Sequence, residues 1–107
     1  MNQGPDDSTS HEQRRAQRKQ AGFQASMRGR GSQRFTVDVI DLSTTGFRAD
    51  AALDLHAGDI VWLTIPGLSG LEAKVAWRDG FLYGFAFAHP LYPAVFDQIT
   101  AFAEQQR

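Results

Sequence analysis

The strongest structural signal in this 107-residue chain lies at residues 71–87, which read LEAKVAWRDGFLYGFAF. Apolar and polar residues alternate up to Arg78, and large and small residues alternate again from Phe81. This two-residue period is typical of strands with one buried face. Asp79-Gly80 between them favours a type I′ turn, because both central positions need a positive φ. The expected core face of this hairpin carries Leu71, Ala73, Val75, Trp77, Phe81, Tyr83, Phe85 and Phe87.

Weaker signals on both sides extend this hairpin to an all-β pattern. Further strands are predicted at about residues 22–28, 35–40, 47–50 and 60–65, with glycine-containing turns between them. Pro93 can begin a helix, and apolar residues follow at a 3.6-residue spacing. That stripe comprises Tyr92, Val95, Phe96, Ile99, Phe102 and Ala103. Residues 21–107 are therefore predicted to form a β-dominated domain, a six-stranded antiparallel barrel with a C-terminal α-helix.

Composition limits the classes of function. The chain has the length of one small domain, and 42% hydrophobic residues suffice for one core. It contains no apolar run of about 18 residues, so no membrane span is expected. Residues 1–13 lack the apolar segment of a secretory signal, and the chain has no cysteine. These features predict a cytoplasmic bacterial protein that holds no metal and no cofactor.

Positive charge is concentrated near the N-terminus. Residues 11–35 contain seven basic residues and one acidic residue, whereas residues 36–107 contain four basic and nine acidic residues. Residues 1–20 have almost no apolar side chains, so they are predicted to form a flexible basic arm. Such a charge run is often only a solvated tail, but it also suits an anionic partner.

Two short motifs favour an anionic nucleotide. Arg14 and Arg18 are four residues apart, and each offers a planar fork of donors that suits phosphates and purine edges. Asp41, Ser43 and Gly46 follow in one predicted turn and supply an acceptor, a small hydroxyl and room for close backbone approach. The same three residues also have ordinary structural explanations: an Asx-turn, a turn hydroxyl and a positive φ.

These motifs, in this order, resemble those of PilZ domains, the bacterial receptors for cyclic di-GMP. The family has R-x-x-x-R before the first strand of a six-stranded barrel and [D/N]-x-S-x-x-G between the second and third strands. The resemblance covers about residues 12–105. The 77–87 stretch is also like the late hairpin of the family, with Gly84 and Phe87 in its Gly-x-x-Phe.

The resemblance implies a stand-alone receptor in which Arg14, Arg18, Asp41, Ser43 and Gly46 bind cyclic di-GMP. Arg15, Gln13 and Arg48 are candidates for additional contacts. Arg30 and Arg34, like Arg48, could supply further cationic contacts, but no motif assigns them a role. Many relatives have an arginine where this chain has Gln13, a position linked to binding a stacked ligand dimer. The sequence therefore leaves open whether one or two ligand molecules bind. Ordering of the arm by the ligand would signal to a protein partner.

Other functions are weighed against this one. A PilZ-like adaptor can bind protein only, but such members typically lack the arginines. A small barrel can bind nucleic acid through a basic arm; the aromatic residues at 81–87 are better explained as core than as a stacking platform. No enzyme is expected, because His11, His56 and His89 are scattered and no motif supplies a nucleophile with a base.

Overall fold

The computed structural model describes residues 18–31, 33–68 and 70–106. Six strands and a C-terminal helix follow one another in this part of the chain. The strands are β1 (Arg18–Arg28), β2 (Arg34–Ser43), β3 (Gly46–Asp50), β4 (Ile60–Thr64), β5 (Leu71–Asp79) and β6 (Leu82–Phe87). The helix, α1, spans Pro93–Gln105 with proline in its first turn. Residues 1–17, most of the predicted arm, lie outside the described residues.

The strands form a closed antiparallel barrel in the order β1-β2-β3-β6-β5-β4. β1 pairs with β4 at Ser26–Arg28, which closes the barrel. Closure removes most open sheet edges. The predicted six-stranded barrel with a C-terminal helix is confirmed.

One continuous core fills the barrel and extends to α1. Every second residue of the long strands points inward, as in Phe23, Ala25 and Met27 of β1. The inner side of α1 is buried and carries Phe96, Ile99 and Ala103. Phe102 makes an edge-to-face contact with Phe23, with 5.6 Å between the ring centroids. Tyr92, predicted for the apolar stripe, is 78% exposed because it caps the helix in extended conformation.

The β5–β6 hairpin differs by one residue from its prediction. Asp79 pairs with Leu82, so the two turn residues are Gly80 and Phe81 and not Asp79 and Gly80. Gly80 has φ 66°, as the first central position of a primed turn requires. Phe81 therefore leaves the core face and is 62% exposed. Tyr83, Phe85 and Phe87 are buried as predicted.

A bulge between Val75 and Trp77 changes the register of β5. An extra residue in one strand moves the following side chains to the opposite face of the sheet. Trp77 is consequently 42% exposed instead of lying in the core. The strict alternation that placed it inside breaks at Ala76.

β1 begins at Arg18, four residues before the predicted start at Gly22. The strand pairing shifts between Gln20 and Phe23, and Gly22 has φ 63° at this irregularity. Glycine adopts this left-handed conformation without a Cβ clash, which allows the strand to continue through the break. The backbone of Arg18 is thus part of the barrel.

Candidate functional site

Strand register brings the two sequence motifs together. Arg18 at the start of β1 lies opposite Ser43 at the end of β2, and Gln20 lies opposite Asp41. Directly opposite residues of antiparallel strands have Cα atoms about 4.5–5.5 Å apart. The second arginine of the R-x-x-x-R motif and the turn motif are therefore adjacent at the level of the backbone.

The row through Asp41 continues across three more strands. Asp41 pairs with Arg48 of β3, Arg48 with Gly84 of β6, and Gly84 with Trp77 of β5. Residues directly opposite each other share one face of a sheet. The line Asp41-Arg48-Gly84-Trp77, here called the site row, thus crosses one face of the barrel.

Asp41 is buried and charge-paired. Only 3% of the residue is exposed, and Oδ2 accepts a hydrogen bond of 2.8 Å from Nε of Arg48. A second guanidinium nitrogen of Arg48, Nη2, lies 2.5 Å from the same oxygen. The hydrogen bond and the charge of Asp41 raise the pKa of Arg48 above its ordinary value. A buried carboxylate needs such compensation, because isolated charges are costly to desolvate.

Ser43 organises the turn between β2 and β3. Its buried Oγ accepts hydrogen bonds from the backbone N–H groups of Thr45 and Gly46, each at 3.2 Å. It also donates to the Gly46 carbonyl oxygen at 3.3 Å. The turn is anchored from outside as well, because Phe87 N–H donates to the Thr45 carbonyl at 2.9 Å. The hydroxyl therefore has the structural role of an ST-turn in this conformation.

Gly46 is required by close packing and not by a positive φ. Its φ is not positive, so the positive φ that the sequence offered as a structural explanation for this glycine was wrong. A Cβ at this position would lie 2.1 Å from the carbonyl oxygen of Phe85 in β6. Glycine thus lets β3 approach β6 beside the site row.

Trp77 lies over Gly84 at the end of the row. A Cβ on Gly84 would be 2.2 Å from Nε1 of Trp77, so only glycine leaves room for the indole. A groove of about 440 Å³ is lined in part by Trp77, Gly84, Arg48 and Gly46. This volume is in the range of small-molecule sites, roughly 300–1,000 Å³. A cation, an indole face and backbone groups here suit a planar, anionic ligand.

Lys74 lies one row further along the same face. Gly46 pairs with Ala86, and Ala86 pairs with Lys74. Lys74 is exposed. The face therefore carries a second described cation besides Arg48.

Five candidate residues are not among those that the structure places on this face. Arg14, Arg15 and Gln13 lie outside the described residues. Arg34 pairs with Arg28 at the other end of the β1–β2 hairpin, nine residues from Ser43. Nine residues of strand span about 30 Å. Arg30 and Arg34 therefore cannot contact a ligand held at Ser43, and that expectation was wrong.

The sequence contained signals for the residues that the motifs missed. Two residues separate β2 from β3, so counting back from this turn places Asp41 opposite Arg48. The same count from Gly80-Phe81 places Trp77 opposite Gly84. Pairing across a two-residue turn thus predicts both partners once the correct turn residues are chosen.

Within the described ranges, no group of three or more His, Asp or Glu side chains is placed to hold a metal ion. His56 and His89 are exposed and neither belongs to the site row. His56 lies 3.9 Å from a carboxylate oxygen of Asp59, in a surface loop.

No helix in the described part of the chain is long and apolar enough to cross a membrane.

The family model of the PilZ domain matches residues 12–105, nearly the whole chain. The chain belongs to the PilZ domain family. A search of curated proteins found no match. PilZ domains are known for cyclic di-GMP binding and act as binding or adaptor domains rather than as enzymes. In this PilZ domain the second arginine and the D-x-S-x-x-G turn meet beside the site row.

Proposed function

We propose that this PilZ domain is a cyclic di-GMP receptor and that the ligand binds across the site row. The observation that supports the proposal most strongly is the pairing of Arg18 with Ser43, next to the Asp41–Arg48 ion pair. Two arginines, a carboxylate and a groove with an exposed indole meet the needs of a nucleotide with two phosphates and two guanines. The proposed ligand contacts are Arg14, Arg18, Asp41, Ser43 and Gly46, with Arg48, Arg15 and Gln13 as additional candidates.

Each group has a distinct chemical task in this proposal. Arg14 and Arg18 bind phosphate oxygens and the O6 and N7 acceptors of guanine. Asp41 accepts the N–H donors of a guanine edge, a task that requires Arg48 to share or release its carboxylate. Arg48 then remains beside the ligand as a compensating cation. Trp77 offers an exposed aromatic face on which a base can stack.

The signal is proposed to pass through the N-terminal arm. Ligand binding at Arg14 and Arg18 would order the arm before β1 against the barrel and create or hide a surface for a protein partner. Backbone order parameters around residues 14–17 are expected to rise on addition of ligand, while those of 71–87 stay unchanged. An arm whose order parameters are already high without ligand would contradict this switch while leaving binding intact.

Isothermal titration calorimetry with cyclic di-GMP tests the binding proposal. Arg14→Ala and Arg18→Ala are each expected to weaken binding by about tenfold or more, the loss of one charge-assisted contact of roughly 1.5–3 kcal/mol. Arg30→Ala is the matched control, since it removes the same charge at the remote end of the β1–β2 hairpin. It is expected to leave the affinity unchanged.

Competing ligands separate the alternatives. Cyclic di-GMP is expected to bind far better than GMP or cyclic di-AMP, with only mild weakening at moderate salt because few phosphates are contacted. Equal binding of single-stranded DNA at physiological salt would support a nucleic-acid module instead. Failure to bind any nucleotide would support an adaptor that contacts protein only. The calorimetric stoichiometry decides between one and two ligands in a domain with Gln13 before its first motif arginine.

A further inference from the structure

The β1–β2 hairpin ends in a cluster of uncompensated positive charge. Arg28 and Arg34 lie directly opposite each other, and Arg30 lies between them in the exposed turn. Within the part of the chain that the structure describes, no carboxylate is within ion-pair distance of these arginines. Like charges directly opposite in an antiparallel pair are destabilising. The barrel therefore maintains an unfavourable charge cluster here, and we call Arg28, Arg30 and Arg34 the basic tip.

The basic tip is open to a partner. Added Cβ atoms at Gly29 and Gly31 would meet nothing within 4 Å. The guanidinium carbon of Arg28 lies 5.8 Å from the ring centroid of Trp62 on the neighbouring strand β4. This contact holds the charge of Arg28 beside a half-buried aromatic surface.

An unpaired strand edge adjoins the basic tip. β2 pairs with β3 only from Asp38 onward, where Asp38 lies opposite Asp50. Residues 34–37 pair with β1 alone. In the described structure their other edge has no sheet partner and forms no backbone hydrogen bond with a loop. Such an edge is a template for an added strand.

We propose that the basic tip and this edge form a docking site for an extended acidic segment of a partner protein. The segment pairs its backbone with residues 34–37 of β2. Its alternate side chains then lie on the face that carries Arg34 and Arg28, because opposite residues of paired strands share a face. Carboxylates at these positions neutralise the charge cluster. This docking site lies about 20–30 Å of strand away from Ser43 and does not depend on nucleotide binding.

A protein segment fits better than a nucleic acid. Glu72 lies opposite Trp62 on the next strand, so the positive surface ends after two strands. The remaining chain from residue 36 onward carries nine acidic and four basic residues. A nucleic acid needs a basic groove that follows its backbone over several nucleotides. A short acidic strand needs only the basic tip and the free edge.

The experiment uses the full chain and a synthetic octapeptide of alternating glutamate and valine, blocked at both ends. Titration is followed by amide NMR shifts and by hydrogen exchange. Shifts are expected at residues 28–37, with slower exchange at residues 34–37. Arg30→Glu combined with Arg34→Glu is expected to weaken binding at least tenfold. Lys74→Glu, which reverses an exposed cation on another strand, is the matched control and is expected to change affinity less than twofold.

Several results would overturn the docking site. One is a set of NMR shifts centred at residues 13–19. Another is equal or tighter binding of a ten-nucleotide thymidine oligomer, or of a peptide in which lysine replaces glutamate. A third is the absence of any shift at millimolar peptide. If the double variant loses its dispersed spectrum, Arg30→Glu alone decides the matter, because residue 30 lies in the turn outside both strands. Unchanged peptide affinity in that folded variant would contradict the proposal.

Discussion

Substituting Gly46 by alanine tests why the turn motif ends in glycine. The added Cβ would lie 2.1 Å from the carbonyl oxygen of Phe85 and 3.2 Å from its carbonyl carbon. Ordinary contacts of this kind are 3.4–4 Å. β3 and β6 must therefore separate by more than an ångström at a point where Gly46 pairs with Ala86 and Phe47 with Phe85. The obstacle is backbone, so no side-chain rotation relieves it.

Two opposing effects set the size of the change. Overpacking of a well-packed region costs about 1–3 kcal/mol. Replacing glycine by alanine in a strand returns roughly 0.5–1 kcal/mol, because the unfolded chain loses freedom. The clash dominates, so the free energy of unfolding is expected to fall by about 1–2 kcal/mol. For a domain of this size this corresponds to a lowering of Tm by roughly 4–16 °C.

Urea unfolding followed by tryptophan fluorescence measures this difference. The midpoint is expected to fall while the m-value stays constant, since the same surface is exposed on unfolding. Gly29→Ala is the matched control, because its Cβ would meet nothing within 4 Å and its φ is not positive. It is expected to be neutral or slightly stabilising. If Gly46→Ala were as stable as Gly29→Ala, close packing would not explain the glycine.

Three further predictions concern the site row, an exposed ion pair and the hairpin turn. Gly84→Ala is expected to displace the indole of Trp77, which should shift the tryptophan emission to the red and weaken cyclic di-GMP binding. Stability is expected to change little, because a surface side chain can move more easily than backbone. The hydrogen bond from Arg78 and its charge lower the pKa of Asp54. Asp54 therefore stabilises the fold above its ordinary pKa and loses this contribution as pH falls through the lowered value; a carboxyl NMR titration should show Arg78→Ala raising that pKa. Phe81 is a turn residue that is 62% exposed, so Phe81→Asn is expected to change the free energy of unfolding by less than about 0.5 kcal/mol. A loss of stability as large as that of a core substitution would contradict the observed register.

The barrel could be predicted because its strands obey local rules. The alternation in β2 and β6 and the helical spacing after Pro93 each depend on one element and its burial. The β5 bulge is a feature of the pairing of β5 with β6, which the alternation of a single strand does not report. Trp77 was therefore assigned to the wrong face. Phe81 was wrongly placed in the core because the turn was assigned to Asp79-Gly80 and not to Gly80-Phe81.

The site could be predicted only as far as its motifs extend. Asp41, Ser43 and Gly46 are recognisable by spacing, but the partner of Asp41 depends on the register of β2 and β3. The early start of β1 at Arg18 depends on pairing with Ser43, which compensates for the weak strand propensity of a polar, arginine-containing stretch. Nonlocal pairing overrides local composition at both places.

Calorimetry of Asp41→Ala with cyclic di-GMP tests the central claim most directly. The substitution makes the protein less acidic, so a purely electrostatic partner of the basic arm would bind it more tightly. A site that uses Asp41 to accept guanine N–H donors predicts weaker binding, by about tenfold or more. Asp38→Ala is the matched control, since it removes the same charge from an exposed position of the same strand and should not weaken binding. A folded Asp41→Ala that binds cyclic di-GMP as well as or better than the parent would contradict the claim.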